Sequence, residues 1–239
     1  MAVVPYVKKL RRLPFLIKRA RHILTEYFND DFWWDEYAKQ WDQTEKPKRL
    51  KYLGNEWTGE EGFLSLLEKY SSPEFEALEI GCGGGRITAS AAPLFKHVSA
   101  ADISNEMLRK CREGIQAANV ALHKLDAFTL KEFADESMDF VFSHDVFVHF
   151  SSLQVYPYLQ EIKRVLRSQG IALISFFDFV DEFALFKETS LMFWRRRRFP
   201  THMRFHFITE EMLRTMLSDL GLNVLETHRD EYLILALRK

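Results

Sequence analysis

The sequence predicts an α/β fold whose mostly parallel sheet is completed by one antiparallel strand. From residue 76 onward, short apolar strands alternate with amphipathic helices, which is the pattern of βαβ units and a parallel sheet. The last two strands are separated only by Arg229 and Asp230. So short a link forces a hairpin, and therefore antiparallel pairing.

The first 57 residues form an extension before this pattern begins. Residues 1–28 are basic and apolar, and Pro14 interrupts any helix there. Residues 29–57 are rich in aromatic and acidic side chains. We expect a helical extension and lid over 1–57, packed beside a main domain at 58–239.

The main domain divides into seven strands and the helices between them. Strands are predicted at 76–80, 97–101, 119–125, 138–143, 170–177, 222–228 and 231–237. Helices are predicted at 84–95, 104–117, 151–167 and 209–220, after one that opens with the capping-box spacing of Thr58–Glu61. Thr209 is a candidate N-cap, and Gly221 is a candidate helix stop. Helices are expected on both faces of the sheet.

Composition narrows the classes of function. A net charge of −1 predicts no nucleic-acid partner, although residues 8–21 could form a weak contact with an anionic membrane surface or a loosely ordered arm. The two cysteines, Cys82 and Cys111, form no disulfide framework or zinc pattern, so no metal is expected and a cytoplasmic location fits best. No stretch is long and apolar enough to predict a membrane span.

A glycine-rich loop, Glu79–Arg86, follows the first strand and opens a helix. Its glycines permit a sharp turn and a close approach of ligand to backbone. The dinucleotide fingerprint requires a small residue where Arg86 stands. The negative charge of the Glu79 carboxylate is unfavourable beside a pyrophosphate but suits a cationic sulfonium ligand. A phosphate P-loop is excluded because no Gly-Lys-Ser/Thr follows.

Asp102 ends the second strand, where a carboxylate can accept hydrogen bonds from both hydroxyls of a ribose. Dehydrogenases use the same arrangement, so Asp102 indicates a ribose without naming the cofactor. The alternative is an acid at a helix N-terminus, before Ser104.

Four segments together resemble the ordered motifs of class I S-adenosylmethionine-dependent methyltransferases of the Rossmann-like, type 11/25-like group. They are Leu78–Arg86, Asp102–Leu108, Asp139–Ser143 and Arg164–Gly170. The resemblance covers 58–239. It implies S-adenosylmethionine as cofactor and S-adenosylhomocysteine as product. Ser168-Gln169-Gly170 departs from the family's usual Pro-Gly-Gly, which affects a turn.

The resemblance also implies positions for the cofactor. Gly81 and Gly83 would lie against the methionine part, Asp102 would hold the ribose, and Ile103 would lie against the adenine, whose amino group Asp126 would face. Tyr37 or Trp41 would close over the methionine end, with core packing as the equal alternative. The implied contacts are completed by Glu79, Cys82, Met107, Ala127, Ser143 and His144.

The segment Ser143–Phe150 follows the fourth strand on the substrate side. His149 is the preferred general base, with His144 or Asp145 as helper or alternative. The competing interpretation is that these side chains only shape the pocket, because many methyltransferases act by alignment alone.

Residues 178–207 are an expected substrate-side insertion. Its run Arg195–Arg198 either grips an anionic group or forms a solvated face. The predicted function is methyl transfer to an oxygen atom of a small-molecule or glycan acceptor, and an anionic acceptor would fit the arginine run. The alternatives are a dinucleotide-dependent oxidoreductase and a non-catalytic S-adenosylmethionine-binding module. The sequence does not indicate the oligomeric state.

Overall fold

The structure, a computed structural model, describes residues 30–44, 51–54, 59–126, 129–196 and 205–239. The basic segment 8–21, Thr58, Ala127 and Arg197–Arg198 lie outside these ranges, as do the side chains of Arg195 and Arg196. The expectations that concern them stay predictions.

The predicted sheet is confirmed within the described residues. Its seven strands are β1 (Glu76–Ile80), β2 (His97–Asp102), β3 (Val120–Lys124), β4 (Met138–Ser143), β5 (Leu166–Phe176), β6 (Asn223–Arg229) and β7 (Leu233–Arg238). They lie in the order β3-β2-β1-β4-β5-β7-β6. The pairs among β1 to β5 are parallel, whereas β7 runs antiparallel to both β5 and β6. This is a Rossmann-like sheet with one reversed strand.

The described residues also form seven helices. They are α1 (Asp30–Asp42), α2 (Glu61–Tyr70), α3 (Arg86–Ala91), α4 (Asn105–Gly114), α5 (Ser152–Val165), α6 (Phe183–Arg196) and α7 (Glu210–Leu220). Short 3₁₀ turns follow α3 at Ala92–Leu94 and β4 at Phe147–His149. Two buried apolar clusters make up the main core, as expected for a sheet with helices on both faces.

Two predicted helix starts are wrong, and in both cases a glycine explains the difference. Gly59 has φ +87°, and α2 begins at Glu61 with no side-chain cap at its N-cap residue, Glu60. Gly85 has φ +88°, so α3 begins at Arg86 rather than at 84. Left-handed backbone cannot belong to a right-handed helix.

In the carboxyl-terminal half of the chain, other predicted bounds of strands also differ from those in the structure. The strand β5 begins at Leu166 instead of 170, because Leu166 already pairs with Met138 ahead of an irregularity in the register. The hairpin link has three residues, 230–232, rather than two. At α7 the predicted caps are confirmed: Thr209 accepts a hydrogen bond from the backbone N–H of Met212, and Gly221 ends the helix at φ +66°. The helix α6 inside 178–207 was not predicted.

The helix α1 lies against α4. The side chain of Asp35 accepts hydrogen bonds from the Ser104 hydroxyl at 2.6 Å and from the backbone N–H of Glu106 at 3.1 Å. A small apolar cluster joins the helix to the domain through Ala38, Trp41, Leu53 and Met107. The N-terminal extension is therefore helical over Asp30–Asp42, and this helix packs beside the end of β2. Within the described ranges, no helix has the length and apolar character needed to cross a membrane.

Candidate cofactor and acceptor site

A cavity opens at the carboxyl ends of β1, β2 and β4, between the glycine loop and α1. Its atom-free space, counting the open mouth, is about 820 Å³. Parallel sheets bind ligands at this edge. The lining includes predicted site residues, namely Glu79, Gly81, Cys82, Gly83, Asp102, Ile103, Met107, His144, Asp145 and His149.

The glycine loop is held by backbone contacts to β2. The N–H groups of Gly81 and Cys82 both donate to the Ala101 carbonyl, at 2.8 and 3.0 Å. Gly81 has φ +77°, and a side chain there would meet Val146 Cγ2 at 2.4 Å. A side chain on Gly83 would meet no atom within 4 Å. The space in front of Gly83 is therefore open for a ligand to lie against the backbone.

Asp102 is buried at the end of β2 and links two parts of the site. Its carboxylate accepts from the N–H of Gly83 at 2.9 Å and from the N–H of Ser104 at 2.8 Å. Burial raises its pKa to about 6, against the effect of these two hydrogen bonds. A carboxylate has about four lone-pair positions, so it can still accept from ribose hydroxyls.

Glu79 lies at the end of β1 with 3% of its surface exposed. Burial raises its pKa to about 8, although the Thr88 hydroxyl donates to its carboxylate at 2.5 Å. The nearby charge of Asp102 adds to the rise. Among the described residues neither acid forms an ion pair, although the charge of Lys124 acts on Asp102. A cationic ligand beside two such buried acids would favour their ionised forms. The open space at Gly83 and these carboxylates together fit a sulfonium cofactor that carries an ammonium group.

Arg86 lines the cavity. In the sequence, Arg86 indicated only that the glycine loop does not fit the dinucleotide fingerprint. It is 9% exposed and forms an ion pair with Glu60, with Asp145 Oδ2 3.8 Å away. Asp145 also accepts from the Tyr232 hydroxyl at 2.9 Å. The position of Arg86 directly after the glycine loop was the signal in the sequence that could have identified it as a site residue.

His144 is buried in the cavity wall between two rings. Phe63 lies at 4.5 Å and Tyr232 at 4.8 Å between ring centroids. Neither ring nitrogen of His144 has a hydrogen-bond partner among the described residues. Burial, with the charge of Arg86, lowers its pKa to about 3, so the ring is neutral at physiological pH. A neutral, unpaired imidazole in a cavity wall is available to a ligand.

His149 occupies the half-buried mouth of the cavity. Its ring packs against Trp34 of α1 at 5.0 Å and against Phe205 at 5.7 Å. The structure thus brings His144, Asp145 and His149 to one cavity, and it adds Trp34, which lines that cavity.

Several predicted site residues lie away from the cavity lining. Trp41 is buried in the cluster between α1 and α4, and Tyr37 packs edge-on against Trp34 at 6.0 Å. Ser143 is fully buried and donates to the Ile80 carbonyl at 2.8 Å. Asp126 is largely exposed and pairs with Lys131, whose hydrogen bond lowers the pKa of Asp126. Ligand contacts for these side chains stay predictions.

Residues 78–174 match the model of a family described as a methyltransferase domain. Residues 78–174 are therefore a methyltransferase domain within this chain. S-adenosylmethionine is accordingly its cofactor, and the dinucleotide alternative is set aside.

One protein is similar to this chain in sequence, and solved structures are similar to it in fold. N-terminal Xaa-Pro-Lys N-methyltransferase 1-B of Xenopus laevis is 34% identical over 101 residues, which cover 41% of this chain and 45% of that protein. The chain thus matches less than half of the length of this relative.

Solved structures share the fold. Magnesium protoporphyrin IX methyltransferase from Synechocystis PCC 6803, with S-adenosylhomocysteine bound, has a TM-score of 0.60 at 18% identity, covering 74% of this chain and 80% of that one. An S-adenosylmethionine-dependent methyltransferase from Mesorhizobium loti has a TM-score of 0.60 at 13% identity, covering 77% and 99%.

Proposed function

We propose that the protein transfers a methyl group from S-adenosylmethionine to a small-molecule or glycan acceptor, at an oxygen atom. One observation carries the proposal: a single cavity joins the glycine loop and the acids Glu79 and Asp102 to the three polar residues His144, Asp145 and His149. A cofactor region and a reaction region are therefore continuous. The main domain is proposed to be 58–239, with 1–57 as extension and lid.

The cofactor supplies an activated methyl group, because its sulfonium sulfur is the leaving group of an in-line displacement. We propose that Asp102 holds the ribose and that Glu79 offsets the positive charge. Gly81 and Gly83 leave room for the methionine part. These residues would fix the direction of the methyl group, and such alignment alone supplies much of the rate in displacement reactions.

A hydroxyl acceptor must lose its proton as the new carbon–oxygen bond forms and the carbon–sulfur bond breaks. We assign proton removal to His149, at the cavity mouth. His144 is a poor base, because a pKa near 3 gives it little affinity for a proton. We propose instead that it accepts a hydrogen bond from the acceptor. Asp145 is engaged with Tyr232 and lies near Arg86, so it supports the wall of the cavity.

A second candidate is methylation of an amine, and the Xenopus laevis relative favours it. That protein's name specifies an N-terminal Xaa-Pro-Lys substrate and N-methylation. An amine acceptor also has to be neutral to attack the methyl carbon, so the same base at the mouth would serve. The two buried free cysteines suit a reducing compartment, and we keep the cytoplasm as the proposed location.

Calorimetry and a methyl-transfer assay test the proposal. We expect S-adenosylmethionine and S-adenosylhomocysteine to bind and NAD not to bind. Radiolabelled cofactor is then offered to separate panels of hydroxylated small molecules, glycans and peptides with free amino termini. Label in a hydroxyl panel supports the proposal, whereas label confined to peptide amines supports the second candidate. Cofactor binding without transfer to any panel would favour a non-catalytic binding module.

A further inference from the structure

The outer side of α6 is an apolar surface with no counterpart in the rest of the described chain. Phe183 is 50% exposed, Leu191 44% and Trp194 79%. At about 100° of rotation per residue, positions 183, 187, 190 and 194 fall on one stripe, with 191 beside it. We call Phe183, Lys187, Leu191 and Trp194 the α6 outer face.

The opposite side of α6 is fixed to the domain. The ring of Phe186 packs edge-on against Phe179 at 4.9 Å and against Phe207 at 5.5 Å. Thr189 is 9% exposed. The α6 outer face is therefore not an incompletely buried core side, because the helix already has one.

The charge along this part of the chain is mixed up to Glu188, where Asp181 and Glu182 precede Phe183, and it is basic after Glu188. Lys187 is exposed on the stripe itself. The acid Glu188 lies about 140° around the helix from Phe183, at the margin of the face. From Thr189 to Thr209 the sequence contains no acid, and it contains Arg195, Arg196, Arg197, Arg198 and Arg204.

A single helix presents a convex surface, which cannot enclose a peptide as a groove does. Trp and Phe with a neighbouring lysine are the side chains that favour the boundary between lipid headgroups and acyl chains. The cations select lipids of negative charge. We propose that the α6 outer face binds an anionic lipid bilayer, with Phe183, Leu191 and Trp194 inserted at the headgroup boundary and Lys187 extended towards lipid phosphates.

This attachment is peripheral and independent of the methyl-transfer proposal.

Vesicle sedimentation tests the proposal with the full chain. The vesicles are phosphatidylcholine alone or phosphatidylcholine mixed with phosphatidylglycerol. We expect wild type to bind the mixed vesicles and not the neutral ones, with binding weakened by salt. The variant Phe183→Ser/Leu191→Ser/Trp194→Ser should lose at least about tenfold in partitioning, because three exposed apolar side chains no longer enter the interface.

The matched control is Leu153→Ser/Met212→Ser, which removes exposed apolar side chains from α5 and α7. It should bind as wild type does, and both variants should retain the circular dichroism and cofactor affinity of wild type. A blue shift of emission on mixed vesicles that disappears in Trp194→Phe would place Trp194 itself in the interface.

Three results would overturn the proposal. One is wild type that ignores anionic vesicles. Another is equal partitioning of the triple variant and wild type, which would assign binding to another part of the chain. The last is a dimer in sedimentation velocity that the triple variant abolishes while vesicles bind neither protein, because the face would then be an interface between two copies.

Discussion

At neutral pH the buried acids of the cavity lower the stability of the protein without a ligand, which supports the proposal that they face a cationic ligand. Glu79 and Asp102 are both buried, and burial raises the pKa of both. Ionising a carboxylate in a low-dielectric site costs free energy that a cationic ligand can offset. Both acids were found from sequence because each follows directly from a strand end and a loop pattern. The raised pKa values of these acids could not be predicted from the sequence, since they depend on burial by the assembled fold.

Asp102→Ala should weaken S-adenosylmethionine binding by about 1.5–3 kcal/mol, from lost hydrogen bonds to a charged acceptor. Calorimetry measures the change. Asp102→Asn is the control, because its amide oxygen can still accept from the N–H of Ser104 or Gly83 while the charge is gone. Affinity unchanged in Asp102→Ala would refute the ribose contact.

His149→Ala should lower kcat by about 100-fold or more, the usual contribution of a general base, and leave cofactor affinity nearly unchanged. Steady-state kinetics with an acceptor that takes up label in the methyl-transfer assay provides the measurement. The matched control is His97→Ala, a histidine at the amino end of β2 and away from the cavity. Equal turnover in His149→Ala and wild type would remove His149 as base.

At the level of the elements, two glycines of the loop that look alike in the sequence meet different structural requirements. Gly81 requires both a positive φ and space beside Val146, whereas Gly83 requires only a positive φ and faces open space. The first glycine is thus needed by the protein itself, and the second is needed by the ligand.

Gly81→Ala should lower the free energy of unfolding by about 1–3 kcal/mol or more, because the new methyl group meets Val146 in a strained backbone. Gly83→Ala should cost only about 1 kcal/mol for its left-handed backbone, yet it should weaken cofactor binding by placing a methyl group in the ligand space. Urea unfolding and calorimetry on both variants give the comparison. Similar affinities for Gly83→Ala and wild type would mean that the ligand lies elsewhere.

The helix α1 illustrates what sequence patterns leave open. Trp34, Tyr37 and Trp41 have i, i+3, i+7 spacing and share one side of a helix. Any of them could have faced the cavity. The choice of Trp34 follows from a long-range contact, the hydrogen bonds of Asp35 to α4, which fix how the helix lies on the domain. The partners of Asp35, Ser104 and Glu106, lie outside residues 29–57, so this segment alone does not predict the contact.

For the whole molecule, the parallel sheet and its reversed strand were predictable, because strand periodicity and a short link are local signals. The helix α6 was not, since its exposed aromatics disguise the amphipathic pattern on which helix prediction depends. Its buried side is made by phenylalanines from three separate segments, at 179, 186 and 207. The site followed the same rule: residues of the glycine loop and strand ends, Arg86 included, have a local signal in the sequence, while the place of Trp34 depended on packing between distant parts of the chain.

The buried titratable groups together predict an unusual dependence of stability on pH. Folded Glu79 has a pKa near 8, above its ordinary 4.5, so between these values the folded state keeps a proton that the unfolded state releases. Stability therefore decreases as pH rises through that interval. Asp102 and Asp145 act in the same direction, with folded pKa values near 6. His144 acts oppositely, because its folded pKa near 3 lies below its ordinary 6.5, and its effect is complete above pH 6.5.

Between pH 6.5 and 8, Glu79 is thus the member of this group that still titrates. Without cofactor, we expect the free energy of unfolding to decrease with pH there, by at most about 1.4 kcal/mol per pH unit for one proton. Urea unfolding at a series of pH values measures it. Glu79→Gln should flatten the profile, because an amide has no proton to lose, whereas Glu76→Gln, at the other end of β1, should keep the wild-type slope. A decrease that survives in Glu79→Gln would assign the titration to another group and remove the reason to place a cationic ligand beside Glu79.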